Sequence, residues 1–258
     1  MLKSALSENG VLTLTMASPP ANTLSEAMLD ALKAAIGGAG SEVRVIVLEA
    51  EGRLFCAGHD LKELTAHRQD DDRGQAYFKD IMGRCAELML TIIASPKPII
   101  AKVDGLATAA GCQLVASCDL AVASKNASFC TPGVNIGLFC STPMVALSRN
   151  VSRKHAMEML LLGEEISAEK ATEIGLINKV VAADELDRDV KDMAETIASK
   201  SMHVVKIGKE AFYQQAEMNL KDAYAYCADV MVQNMLARDA EEGIGAVLDK
   251  RSPNWQDR

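Results

Sequence analysis

Pro96-Lys-Pro-Ile-Ile-Ala-Lys-Val-Asp-Gly-Leu-Ala-Thr-Ala-Ala-Gly-Cys-Gln-Leu-Val-Ala-Ser-Cys-Asp119 is the stretch that decides the fold. Two prolines end whatever precedes it, and Ile99 to Val103 is a short apolar run with the branching that favours a strand. A loop of almost wholly small residues follows, Asp104 to Gln113, and Asp119 to Ala123 supplies the next strand. A strand, a small-residue loop and a further strand predict an α/β chain whose loops gather ligands at the carboxyl ends of strands.

The surroundings repeat this grammar. Gly10 to Met16 alternates as an early strand, and Leu29, Leu32 and Ile36 fall at helical spacing before Gly37-Gly38. Val43 to Leu48 is nearly continuously apolar, as in a strand covered on both faces of a parallel sheet. It leads into a second candidate loop, Phe55-Cys-Ala-Gly-His-Asp-Leu61. Gln75 to Ser95 predicts a long helix. Beyond Thr142 the pattern turns helical: helices begin near Ser152 and Ser167 and stop at Gly163 and Gly175, with Leu176 to Val181 the one strand-like run. From Asp184 onward every segment predicts helix.

Of the 258 residues 49% are hydrophobic, enough for one sizeable core with a helical appendage, and the net charge is −8. The acidic balance argues against a nucleic-acid partner. Seven cysteines with no CxxC spacing suggest small buried thiols in a reducing compartment rather than a disulfide framework or zinc site. The first ten residues lack the pattern of a secretory or transit signal, and no apolar run is long enough to span a bilayer. The expectation is a cytoplasmic chain, or a mitochondrial one from which a transit peptide has been removed, with no membrane partner.

The two small-residue loops are the candidate chemical centres. Small residues let backbone approach a ligand closely, and amides at a helix start carry partial positive charge. Two such amides can bind the oxygen of an enolate or a tetrahedral intermediate. Small residues also mark tight helix–sheet packing, so the loops alone leave both readings open. His67, His155 and His203 lie in polar surroundings and are expected at the surface. His59, Asp60 and His67 lack the further ligands a metal site needs, and Gly243-Ile-Gly245 is too short for a dinucleotide loop.

Taken in order, PPANTLSEAM, RLFCAGHDLKEL, the central block quoted above, FCTPGVNIGLF, LLGEEISAEKATEIGLINKVV and DKRSPNW resemble the enoyl-CoA hydratase/isomerase (crotonase) family, from about Asn22 to Trp255. The resemblance implies the crotonase (ClpP-like) fold. This is an α/β spiral of ββα units over residues 1–200, with a helical C-terminal trimerisation region over 201–258. It implies a CoA thioester as substrate or ligand, no tightly bound cofactor, and self-association as homotrimers or hexamers. CoA is itself an anion, so its site requires local positive charge against the global field.

Residue by residue, the family's oxyanion amides fall on His59 and Ala110. Ala57 and His59 line the pantetheine path, and Lys62 and Lys250 match basic positions that approach CoA. The two glutamates that hydratases use as acid and base fall on Gln113 and Gly133, neither of which moves a proton at neutral pH. Cys140 and Ser141 match a segment bordering the reacting carbons, where a Cys140 nucleophile would need His59 as base. Asp60 and Asp119 match structural positions, and Asn135 lies on a loop expected at the acyl end. The reading is an acyl-CoA enzyme for which simple hydration is doubtful, or a non-catalytic acyl-CoA-binding protein.

Overall fold

A computed structural model describes residues 1–258. Two strands open the chain, β1 (Leu2–Leu6) and β2 (Val11–Met16), followed by α1 (Glu26–Gly37). Three strand–strand–helical units come next. The first is β3 (Val45–Ala50), β4 (Leu54–Cys56) and α2 (Leu61–Ala66), after which the long α3 (Gln75–Ala94) crosses back. The second is β5 (Ile99–Val103), β6 (Leu106–Thr108) and α4 (Ala110–Ser117). The third is β7 (Leu120–Ser124), β8 (Ser128–Cys130) and a 3-10 turn over Pro132–Ile136.

The first strand of each unit joins a six-stranded sheet of order β1-β2-β3-β5-β7-β10, with β10 at Lys179–Val181, parallel from β2 onward. The second strands form a smaller sheet, β4-β6-β8, also parallel, to which β9 (Ile166–Ser167) adds antiparallel. Two sheets built by one repeating unit make a spiral, and this is the crotonase fold.

The continuous apolar character of β3 has the physical cause expected. Ile46 and Leu48 face the main core, while Val45 and Val47 face a second cluster with Ile100, Val122, Val190 and Ala194. The cover on that second face is α8 (Leu186–Ala198), which follows α5 (Pro143–Asn150), α6 (Arg153–Leu162), α7 (Ala168–Glu173) and β10 (Lys179–Val181). Ser152 and Ser167 cap α6 and α7 as the sequence predicts, their hydroxyls accepting from His155 N and Lys170 N. The last helices are α9 (Met202–Ala216), α10 (Leu220–Met235) and α11 (Arg238–Leu248).

Several expectations need correction. The strand read at 43–48 runs two residues later. β1 was not anticipated, because it is an edge strand with four of five residues exposed and no buried alternation. The smaller sheet was absorbed into the loops, since three-residue strands are too short to show a period.

The helical tail is held to the body by Asp119 at the entrance to β7. Its carboxylate accepts from Lys209 Nζ at 2.7 Å, Tyr213 Oη at 2.9 Å and Ile99 N at 2.7 Å. Lys209 also donates to the carbonyls of Ile92 and Lys97, both at 3.0 Å. The final residues fold back on the tail: Asp239 accepts from Ser201 Oγ, Gln256 N and Asp257 N, and Trp255 Nε1 donates to Ser199 O.

Candidate active site

The loops after β4, β6 and β8 converge because the smaller sheet is parallel and its strands are only three residues long. Gly58, between Ala57 and His59, has φ +81°, and a Cβ there would stand 3.1 Å from both the Ala110 nitrogen and the Ala109 Cβ. The segment before α1 braces this loop, with Ala57 N donating to Ala21 O at 3.0 Å and Leu24 N to Gly58 O at 2.8 Å. On the other side Gly111 lies against β4, where a Cβ would meet the Cys56 carbonyl oxygen at 2.2 Å. Glycine is required at 58 by conformation and at 111 by space. Both candidate explanations of the small residues therefore hold: they permit tight packing, and that packing brings two loops together.

Ala109 turns the second loop at φ 52°, ψ −119°, a conformation that glycine adopts without strain and alanine does not. Its N–H donates to Cys130 O at 2.9 Å, linking the second loop to the third. This turn starts α4 with Ala110, whose N–H is one of the donors a helix leaves unpaired at its first turn. The His59 N–H has no backbone acceptor either. Two unpaired amides thus lie on neighbouring loops, one at a helix start.

Half-buried His59 and buried Gln113 and Thr131, on these loops and the start of α4, also carry buried polar atoms without partners. They are both ring nitrogens of His59, Oε1 of Gln113 and Oγ1 of Thr131. Gln113 and Ala110 are three apart on α4 and so share a face. Burial pushes the His59 imidazole below its ordinary value, opposed by the Leu24 backbone, so the ring is neutral at physiological pH. Thr131 is the residue the sequence reading missed. Its signal was a hydroxyl directly before Pro132 at the end of a strand, a weak one because Thr142-Pro143 offers the same pair.

Cys140 lies beside Gly133: its Sγ is 2.9 Å from where a Cβ on residue 133 would be. Burial raises the Cys140 thiol above its ordinary value, with the Gly133 backbone partly opposing, so the thiol stays protonated. With both His59 nitrogens unpaired, no His59–Cys140 hydrogen bond forms. The activated-nucleophile reading of Cys140 therefore lacks its base. Ser141 is exposed and donates to Phe139 O at 3.3 Å. Asn135 does not project freely toward an acyl chain, because its amide donates to Gly163 O at the end of α6.

Outside the loops, Asp60 caps α2, accepting from Lys62 N at 2.8 Å and from Thr23 Oγ1 at 3.2 Å. That places the Lys62 side chain on the first turn of α2, exposed and without an ion pair. Lys250 follows α11 at φ 55°, also exposed. His67 stacks on Tyr77 with ring centroids 3.6 Å apart and pairs with Asp70, while His155 meets Ser152 Oγ at 3.1 Å. No three His, Cys, Asp or Glu side chains gather in a metal-binding group. No helix is long and apolar enough to cross a membrane.

A ββα spiral whose successive loops bring unpaired backbone amides together defines a protein of the crotonase class. The sequence profile of the enoyl-CoA hydratase/isomerase family matches residues 7–258, and the chain belongs to that family. It is similar to the mouse protein named enoyl-CoA hydratase domain-containing protein 3, mitochondrial. The two are 47% identical over 257 residues, covering 98% of this chain and 84% of the mouse protein. Its structure is similar to that of a Mycobacterium smegmatis enoyl-CoA hydratase (TM-score 0.94, 49% identity, 98% of each chain covered). It is also similar to that of human enoyl-CoA hydratase domain-containing protein 3 (TM-score 0.93, 47% identity, 98% of this chain and 99% of that one).

Proposed function

We propose that this protein binds an acyl-CoA thioester with the thioester oxygen between the backbone N–H groups of His59 and Ala110. The observation that carries the reading is the approach of the two loops, with Gly58 packed against the Ala110 nitrogen and neither amide paired within the protein. A carbonyl oxygen gains negative charge as an enolate or tetrahedral intermediate forms, and fixed amides stabilise that charge without reorganising. Ala57 and His59 line the path of the pantetheine arm. Lys62 and Lys250 supply the positive charge its phosphates need in an acidic protein.

The reaction class we favour is that of a hydratase/isomerase-like enzyme of acyl-CoA metabolism, but not addition of water by paired carboxylates. Gln113 and Gly133 stand where that chemistry needs an acid and a base, and neither position carries a carboxylate; the Cys140 thiol stays protonated and makes no hydrogen bond to His59. The missing carboxylate pair favours a second reading, a protein that holds acyl-CoA without transforming it. We further propose assembly as trimers or hexamers through residues 201–258. Leu220, Tyr224, Leu236 and Val247 are each more than 70% exposed there, and burial between copies would remove them from water. Thiols without disulfide partners fit a reducing compartment, either the cytoplasm or the mitochondrion that the mouse relative's name gives.

The test is a panel of acyl-CoA thioesters, followed by calorimetry for binding and by mass spectrometry for turnover. Binding is expected for the parent. It is expected to fall at least about tenfold for Gly58→Ala, whose methyl group would press on the Ala110 amide. A parent that binds no thioester refutes the proposal. Turnover by the parent decides for the enzyme over the binding protein.

A further inference from the structure

We infer that Cys140 is a specificity-determining residue, whose side chain occupies the space where a side chain at position 133 would begin and so closes the pocket to a second carboxylate. The reading of the pocket as an acyl-CoA site is taken from the proposal above; the packing of the two residues stands independently of it.

Gly133 is not among the glycines with positive φ, so its backbone accepts any L-residue and conformation is not what keeps glycine there. Space is. A Cβ on residue 133 would lie 2.9 Å from Cys140 Sγ, 3.1 Å from Cys140 N and 3.2 Å from Leu138 O. The first contact is shorter than a carbon and a sulfur tolerate, and the thiol has little freedom to leave. Cys140 is 7% exposed, its carbonyl accepts from Met144 N at 2.9 Å, and the turn beneath it is closed by Leu138 N donating to Gly133 O at 2.9 Å. The position is therefore filled, and the filler is a neutral, protonated thiol.

A consequence follows for the chemistry. Adding water to a 2-enoyl thioester needs a base to take the water's proton as the new carbon–oxygen bond forms, and an acid to supply the proton to the neighbouring carbon. Gln113→Glu returns one carboxylate to a position whose side chain already fits. Gly133→Glu does not return the other, because its first carbon meets the thiol. The pair at 133 and 140 must change together.

The stability arm is a double-mutant cycle of Gly133→Ala and Cys140→Ala, read by thermal unfolding at one fixed protein concentration. Gly133→Ala carries only the offending carbon and is the mildest form of the clash. It is expected to lower Tm by roughly 3–8 °C in the parent and by less than half as much in the Cys140→Ala background. Equal losses in both backgrounds, or none in the parent, overturn the inference.

The activity arm uses a short 2-enoyl-CoA. Gln113→Glu/Gly133→Glu/Cys140→Ala is expected to hydrate it at least about tenfold faster than Gln113→Glu/Gly133→Glu. Equal rates in these two variants also overturn the inference. Absence of acyl-CoA binding by the parent counts against the proposed function instead, and leaves the stability cycle able to decide the steric pairing.

Discussion

Replacing Asp119 with asparagine tests whether one buried ion pair fastens the helical tail to the α/β body. Asp119 and Lys209 side chains are 16% and 7% exposed, so neither charge is well hydrated. Asparagine keeps an oxygen for Ile99 N and Lys209 Nζ, which share Oδ2, but loses the charge facing the ammonium, and its NH2 group replaces Oδ1 opposite Tyr213 Oη, whose proton must turn away. Breaking one partner of a buried pair costs about 3–5 kcal/mol. Lys209 retains the Ile92 and Lys97 carbonyls, which places the expected loss near the lower end, about 3 kcal/mol. Lys209→Met strips those carbonyls of their donor and strands the carboxylate, for a similar loss. The double variant has no buried charge left and is expected to lose about 2 kcal/mol less than the two single losses added together. Urea unfolding followed by circular dichroism gives the free energies, at one protein concentration because assembly shifts apparent stability. Hydrogen exchange should show α9 amides losing protection first in the single variants. Single losses below about 1 kcal/mol, or strict additivity, would refute the account of the tail as charge-fastened.

Ala109→Gly relieves the turn at φ 52° and is expected to stabilise the protein by about 1 kcal/mol in the same unfolding assay; a loss of stability would show that the turn is unstrained. Gly111→Ala drives a methyl into the Cys56 carbonyl and is expected to abolish soluble expression, while Gly83→Ala, where nothing lies within 4 Å, serves as the tolerated control. The carboxylate of Glu242, bonded to Arg251 and the Asn254 N–H, is held down at about 2, so its contribution is complete above its ordinary value of 4.5 and is lost as pH falls toward 2. Trp255 is the sole tryptophan, and its fluorescence is expected to report release of the C-terminal residues across that acid window; an unchanged spectrum down to pH 2 would contradict it. Asp60→Ala removes the cap of α2 and is expected to raise hydrogen exchange within 61–66 at a cost of about 1 kcal/mol, with no change in α9.

The fold was legible wherever burial wrote a long pattern. Val43 to Leu48 announced a strand covered on both faces, and Ser152 and Ser167 marked helix starts to the residue. The smaller sheet was not legible, because Leu54–Cys56, Leu106–Thr108 and Ser128–Cys130 are each shorter than two full side-chain alternations. For the site, composition singled out the loops at His59 and Ala110, and the resemblance named the two amides. The contact between the loops through Gly58 is a matter of three dimensions. Two contacts had no sequence signal. Lys209 is an ordinary lysine in an amphipathic helix until Asp119 is found beneath it, and Cys140, singled out in the sequence as a possible nucleophile, shows its packing against Gly133 only in three dimensions.

The order of strands in the larger sheet also bears on how the chain folds as it is made. Val45 and Val47 leave the ribosome early, and they find sheet partners as β5 and β7 follow. Their face is covered only by Leu186, Val190, Ala194 and Ala198, about 150 residues later. At translation rates of about 5–20 residues per second that interval is roughly 8–30 s. Throughout it, a β-branched apolar face stands open on a nascent sheet, and a chaperone that shields such faces has its clearest task there.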